Sequence, residues 1–262
     1  MIPLAYLIEW KNYVPWKDPD MVEQDLVICK ALVEIFNDPY LFENLAFRGG
    51  TALNKLYLHP QSRFSEDIDL VQIKSKPIRE TIERLRIQLG FLDLHQVRQK
   101  LNNNTLVFKY DSENNPGTKL KLKIEINCRE HFSVLGIIRK EYMVRSEWFN
   151  GDCSLNTYLP EELLGTKLRA LYQRRKGRDL FDLFKAMISV NMEPEKILLC
   201  FHEYMKSSVK TSPTRKQFIQ NVESKLTDDE FVGDIKAIIR PDENYNPCRA
   251  WELIKDQIIK EM

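Results

Sequence analysis

Two adjacent glycines lead into a helical pattern, and two aspartates one residue apart follow; together they leave this chain few local folds. The segment Leu45-Ala46-Phe47-Arg48-Gly49-Gly50-Thr51-Ala52-Leu53 reads as a short strand, a glycine turn and a helix start. The chain returns through Arg63-Phe64-Ser65-Glu66-Asp67-Ile68-Asp69-Leu70 as a second strand. Side chains alternate along a strand, so Asp67 and Asp69 share one face while Ile68 and Leu70 share the other. Two carboxylates held side by side repel each other unless a cation lies between them. A glycine turn at a helix N-terminus presents backbone N–H groups to an anion. Metal-holding acids beside a phosphate cradle are the parts of phosphoryl or nucleotidyl transfer. The bland alternative is an acidic pair on an exposed strand face. The apolar Ile68, Leu70 and Val71 around the pair, and the helix-length segment after the glycines, favour the metal reading.

The rest of the chain falls into two halves. Asp18-Pro19 caps a helix predicted over 19–36, which ends at Asn37-Asp38-Pro39. A short strand over 45–47 enters the glycine turn, a helix over 51–58 stops at His59-Pro60, and a strand covers 67–73. Pro77 opens a helix carrying Ile78, Ile82, Leu85 and Leu89, followed by a strand over 105–110 and a turn at Asn114-Asn115-Pro116-Gly117. A long strand then puts Leu120, Leu122, Ile124 and Ile126 on one face and Lys119, Lys121, Lys123, Glu125 and Asn127 on the other. From Glu161 the pattern is almost wholly helical, with Pro194, Pro213 and Pro247 where helices begin and Thr227-Asp228-Asp229-Glu230 as a capping box. The expected organisation is an α/β domain over 1–150 with N-terminal helices, then a helical domain over 151–262.

Composition narrows the function classes. Among 262 residues, 39 basic side chains nearly balance 38 acidic ones, a formal charge of +1, which excludes a generally polybasic nucleic-acid binder and leaves a local basic patch open. No apolar run approaches the roughly 18–20 residues that cross a bilayer, and the N-terminus has no cationic start and meets Glu9 early, unlike a secretory signal. A cytoplasmic protein without a membrane partner is expected. The 5 cysteines are scattered and form no Cys-x-x-Cys pair, which argues against a zinc site or disulfide scaffold. The histidines are isolated, and neither a Gly-x-Ser-x-Gly elbow nor a Gly-x-x-x-x-Gly-Lys-Ser/Thr loop occurs.

Further chemistry-bearing residues lie outside the opening motif. Glu125 is the one acid among three lysines on its strand face, so it is either a third metal ligand or the counter-charge of a solvated face. Asp152 is a weaker candidate for the third acid. Lys167 falls inside the apolar helical stripe of Leu163, Leu164, Leu168 and Leu171, so it either snorkels outward or lines a polar pocket. Arg174-Arg175-Lys176-Gly177-Arg178 is a basic loop, either a solvated corner or a contact for triphosphate or an RNA backbone. Asp179 and Asp182, three residues apart on the next helix, either cap it and pair with Arg178 or orient Lys167.

These pieces together resemble the AbiEii/AbiGii toxin family, nucleotidyltransferase-like proteins of type IV toxin–antitoxin and abortive-infection (phage-defence) systems. The resemblance rests on Phe47-Arg48-Gly49-Gly50-Thr51-Ala52-Leu53, Arg63-x-Ser65-x-Asp67-Ile68-Asp69-Leu70, Glu125 in Lys-Ile-Glu-Ile-Asn, Glu162-Leu163-Leu164-x-x-Lys167-Leu168-x-Ala170 and Arg178-Asp179-x-x-Asp182, and spans about 45–190. It implies an α/β (α+β) fold, with a DNA-polymerase-β-like nucleotidyltransferase core on a mixed sheet and a helical C-terminal lobe. Asp67, Asp69 and Glu125 are then the metal ligands, for Mg²⁺ with Mn²⁺ as the alternative. Gly49, Gly50, Thr51 and Ser65 are expected to cradle the nucleotide, with Lys167, Arg178 and Asp179 as further contacts and Lys167 counted among the catalytic groups. An NTP substrate, an RNA (tRNA) acceptor and a cognate antitoxin are the implied partners. The turn here is Gly-Gly followed by a helix-containing gap, whereas the wider superfamily prefers Gly-Ser with the acids close behind. A metal-dependent nuclease and a non-catalytic binding module of the same fold are the rival readings.

Overall fold

The computed structural model describes residues 2–100, 102–208 and 212–262. The chain forms two compact units from interleaved stretches: Met1–Ala52, Phe64–Phe132 and Ile137–Thr157 in the first, and Leu53–Arg63, Ser133–Gly136 and Tyr158–Met262 in the second.

In chain order the elements are α1 (Leu4–Trp10), α2 (Pro19–Asn37), α3 (Pro39–Asn44), β1 (Leu45–Arg48), α4 (Gly49–Leu56), β2 (Asp67–Gln72), α5 (Arg79–Gln88), β3 (Asp93–Lys100), β4 (Asn103–Asp111), β5 (Lys119–Asn127), β6 (Ile137–Arg145) and β7 (Asn150–Tyr158). There follow α6 (Pro160–Gln173), α7 (Gly177–Ser189), α8 (Pro194–Ser208), α9 (Arg215–Leu226), α10 (Asp229–Gly233) and α11 (Pro247–Gln257). Among the described residues seven strands form one mixed sheet in the order β3-β4-β5-β2-β1-β7-β6. β2 runs parallel to β5 and β1 parallel to β7, while β1–β2, β3–β4 and β4–β5 are antiparallel.

Alternation decides the two faces of the first unit's sheet. Leu106, Phe108, Leu122, Ile124, Ile126, Ile68 and Leu70 are buried, each worth roughly 1.5–3 kcal/mol over exposure. α2 contacts β5 and β6. Its buried Gln24 donates to the carbonyls of Glu66 (3.1 Å) and Lys121 (2.8 Å) and accepts from the Tyr110 hydroxyl (2.5 Å), joining helix, β2 approach, β4 and β5. Asp38 closes α2 and also caps α3, accepting from the Leu41 N–H at 2.9 Å, so the predicted stop is a start as well.

The strands that the pattern did not announce are β3, β6 and β7. β3 is exposed at nearly every position, so it has no alternation to reveal it. β6 is an edge strand that buries little besides Val144, and β7 contains Asn150, Gly151 and Asp152, residue types depleted in strands. In the second unit the capping box forms at Thr214 and Gln217, ahead of α9. At 227–230 it is Asp228 that caps α10, accepting from the Glu230 N–H at 3.0 Å. Gly165 lets α6 approach α8, because a Cβ there would collide with Cys200 and the Phe201 backbone.

Candidate active site

The site is set by register. Asp69 on β2 lies opposite Arg48 on β1 and opposite Glu125 on β5, and Asp67 lies opposite Lys123. Directly paired residues point to the same side of a sheet, so Asp67, Asp69 and Glu125 occupy one face, the face opposite the buried Ile68, Leu70, Ile124 and Ile126. Beyond β5 the same row continues through Thr105 to Arg98.

Gly49 joins this face to the start of α4. Its φ is +81°, a left-handed conformation that favours glycine. A Cβ at that position would run into the carboxylate of Asp69. The N-terminal turn of the helix therefore lies directly against one of the strand acids. Gly50 and Thr51 continue the helix, and the buried Thr51 hydroxyl donates to the Asp67 carbonyl at 2.5 Å, tying the turn to β2. Ser65, two residues before Asp67, is buried, and its hydroxyl has no hydrogen-bond partner among the described residues.

Lys123 stands among the acids on this face. The Lys123 ammonium lies 3.3 Å from Asp67 Oδ2 and 2.5 Å from Glu125 Oε1. Burial, with the charges of Asp69 and Glu66, pushes the Asp67 carboxyl up to about 6 despite that lysine. Lys123 is the residue that sequence reasoning passed over, although its position two before Glu125 on one strand face put it beside the acids. Arg48 is held by Glu130 at 2.5 Å, and Glu130 also accepts from Asn127 at 3.3 Å. A cleft of about 740 Å³ is lined by Asp67, Glu125, Lys123 and the polar faces of β3, β4 and β5.

The donor chemistry suits a hard divalent cation. Among the described residues no three His, Cys, Asp or Glu side chains are gathered closely enough to enclose a metal ion, and Lys123 bridges two of the three acids. Mg²⁺ needs no such cage, since it is commonly held by one or two carboxylates together with substrate phosphates and water. Asp67 and Asp69, two carboxylates on one strand face, match that requirement.

The remaining candidates lie in the second unit. Lys167 does not snorkel: its side chain is 7% exposed, and its ammonium sits 3.0 Å from Asp179 Oδ1 and 2.8 Å from Asp182 Oδ2. Asp182 also receives Arg63 through two bonds, 2.7 and 2.8 Å, and Asn54 at 3.4 Å. Asp179 also receives Arg174, at 2.7 and 2.8 Å. Burial alone would raise both carboxyls, but Lys167 with Arg174 at Asp179, and Arg63 with Lys167 at Asp182, hold them below the ordinary range. The two aspartates thus orient Lys167, and Arg178 pairs instead with Asp234. Arg175 and Lys176 are likewise paired, with Asp228 and Asp234. Glu162 accepts from the N–H groups of Val134 and Leu135, from Ser133 and from the Tyr204 hydroxyl, a structural role for another motif residue. Asp152 stands exposed on β7, 3.7 Å from Arg145.

Comparison with known proteins bears on the family and the fold. A family model described as the nucleotidyl transferase AbiEii toxin of type IV toxin–antitoxin systems matches residues 30–255. Among solved structures, JHP933 from Helicobacter pylori superposes with a TM-score of 0.55 at 16% identity, covering 93% of this chain and 95% of that one. The nucleotidyltransferase toxin MenT4 from Mycobacterium tuberculosis H37Rv superposes with a TM-score of 0.54 at 14% identity, covering 100% of this chain and 98% of that one. At these identities the likeness is one of fold. No curated protein sequence matches the chain.

Proposed function

Because the chain belongs to the AbiEii family of nucleotidyl transferase toxins, we propose that it transfers a nucleotide from an NTP to an acceptor hydroxyl at an RNA 3′ end, with Mg²⁺ held by Asp67 and Asp69. The observation that carries this reading is the contact between Gly49 and the Asp69 carboxylate. It sets an anion-binding helix start and a cation-binding acid side by side, as a metal–triphosphate substrate requires.

In the proposed reaction the acceptor hydroxyl attacks the α-phosphate in line, the new phosphodiester bond forms, and pyrophosphate leaves with the electron pair of the broken bond. When bound, Mg²⁺ lowers the pKa of the attacking hydroxyl and neutralises the leaving charge. The N–H groups of the Gly49-Gly50 turn receive phosphate oxygens, and the Ser65 hydroxyl is a nearby donor without a hydrogen-bond partner among the described residues. Glu125 takes the proton of the hydroxyl, or completes the metal shell, by exchanging its bond to Lys123. Lys123 keeps the acid face folded in the free protein by offsetting part of its charge. A cognate antitoxin is the partner that the type IV description leads us to expect. Nucleotide contacts by Lys167, Arg178 and Asp179 are a separate proposal, because each already has an ion-pair partner within the second unit.

The test is incorporation of each labelled NTP into total RNA, with and without Mg²⁺, beside Asp69→Ala. Labelled RNA from the wild type with Mg²⁺ alone supports the reading. Absence of both label transfer and nucleotide binding, or RNA cleavage without added NTP, overturns it.

A further inference from the structure

The polar face of β3, β4 and β5 carries positive charge that the fold itself does not use. Arg98 and Lys100 on β3, Lys109 on β4 and Lys121 on β5 line the same cleft as Asp67 and Glu125. Among the described residues none of these four cations has an ion-pair partner, and Asp93, opposite Lys109, is not within ion-pair distance. Lys109 and Lys121 lie directly across from each other on adjacent strands, an arrangement that opposes folding because like charges face each other. Their neighbour on the same face shows the ordinary solution: Lys119 lies opposite Asp111 and binds it at 2.7 Å.

Edge protection does not account for the pattern. Lysines on edge strands discourage unwanted strand pairing, which covers Arg98 and Lys100 on the edge strand β3. Lys109 and Lys121 stand on interior strands, whose hydrogen-bonding edges are already occupied. The charges are also graded. Reading one register row from β2 outward gives Asp69, Glu125, Thr105 and Arg98, a passage from acid to base over three strand spacings, roughly 14 Å.

We infer that this face is a docking track for the phosphodiester backbone of the acceptor strand, which leads its 3′ end towards Asp67 and Asp69. The inference rests on the reading of the acceptor as RNA. A backbone phosphate between Lys109 and Lys121 turns their repulsion into a shared attraction, and the acids at the inner end repel the backbone unless a cation is present. The 3′ terminus, which carries no phosphate, is the part of a strand best suited to that end.

The experiment measures binding of a labelled single-stranded RNA to the whole protein by fluorescence anisotropy, without NTP, across a salt series. A triple variant, Arg98→Gln with Lys109→Gln and Lys121→Gln, is compared with wild type and with Lys119→Gln. The triple variant should bind at least about tenfold more weakly, and its slope of log affinity against log salt should be shallower by about 2, from three lost contacts at ~0.7 each. Lys119→Gln should match wild type, and NTP binding and Tm should not fall in the triple variant. Wild-type affinity and slope in the triple variant, or no RNA binding by wild type, overturns the track. Wild-type RNA binding with that salt slope but no transfer to any RNA removes the proposed reaction and leaves the track standing.

Discussion

The strand pair Asp67/Asp69 and the helix pair Asp179/Asp182 each place two acids on one face of one element, and their surroundings treat them in opposite ways. Asp179 and Asp182 are wholly buried, and Lys167, Arg63 and Arg174 supply three cations for two carboxylates. Both carboxyls titrate below the ordinary range. Asp67 and Asp69, with Glu125, are half-exposed, and Lys123 bridges Asp67 and Glu125. Burial, with the charges of Asp69 and Glu66, pushes the Asp67 carboxyl up to about 6. A carboxylate pair with its charge matched inside the fold has the electrostatics of a structural joint. A half-exposed pair against a helix start, one of whose carboxyls is pushed up, is open to a partner from solution.

Mutation should separate the two pairs. Asp182→Asn leaves the buried Arg63 and Lys167 short of counter-charge and should cost about 3–5 kcal/mol of stability, read from the urea midpoint; a loss under 1 kcal/mol would break the comparison. Its cost at neutral pH should shrink in acid. The folded-state pKa of Asp182 is depressed, so its contribution is present above the unfolded value of about 4 and is lost as pH falls below that. Asp69→Ala should act on the other property, with transfer reduced more than about 100-fold, the scale on which even indirect metal supports act. Gly49→Ala should combine both behaviours. It strains a φ of +81°, at a cost of about 1–2 kcal/mol, and displaces Asp69, so transfer and stability should fall together.

Two smaller effects sharpen the contrast. Lys225 is a buried cation that donates to the carbonyls of Leu171 and Tyr172. Burial, with Arg175, pushes it down to about 8. In the window from about 8 to about 10.5 the unfolded chain binds this proton and the folded chain does not, so stability should rise with pH across that window. Subtracting the Lys225→Met curve from the wild-type urea-midpoint curve should isolate that rise, and a flat difference would rule it out. Smallest of all, Lys109→Gln should raise stability by about 0.2–1 kcal/mol by relieving the facing Lys121. A lower urea midpoint would mean that the two lysines are compensated within the fold.

Much of the site was legible because its signals are local. Alternation placed Asp67 and Asp69 together and separated Glu125 from the apolar face, and the two glycines marked the turn. The apolar stripe around Lys167 offered two outcomes, and burial with Asp179 and Asp182 selected the polar pocket. The basic loop also offered two, and Arg174, Arg175, Lys176 and Arg178 each pair with an acid of their own unit. β3 stayed hidden because both its faces are wet, and β7 because Asn150, Gly151 and Asp152 carry turn chemistry into a strand.

By itself, then, the sequence determined which side chains share a face, since the repeats of strand and helix act over two to four residues. It also determined that a left-handed turn could form at Gly49, because that freedom belongs to the residue. Only the tertiary structure decided who neutralises whom. Lys123 reaches Asp67 across 56 residues of chain and Arg63 reaches Asp182 across 119. Strand register and helix packing choose such partners, and both are settled by burying apolar faces far along the chain. That choice decides whether an acid pair is buried as a structural joint or stands half-exposed on a strand face.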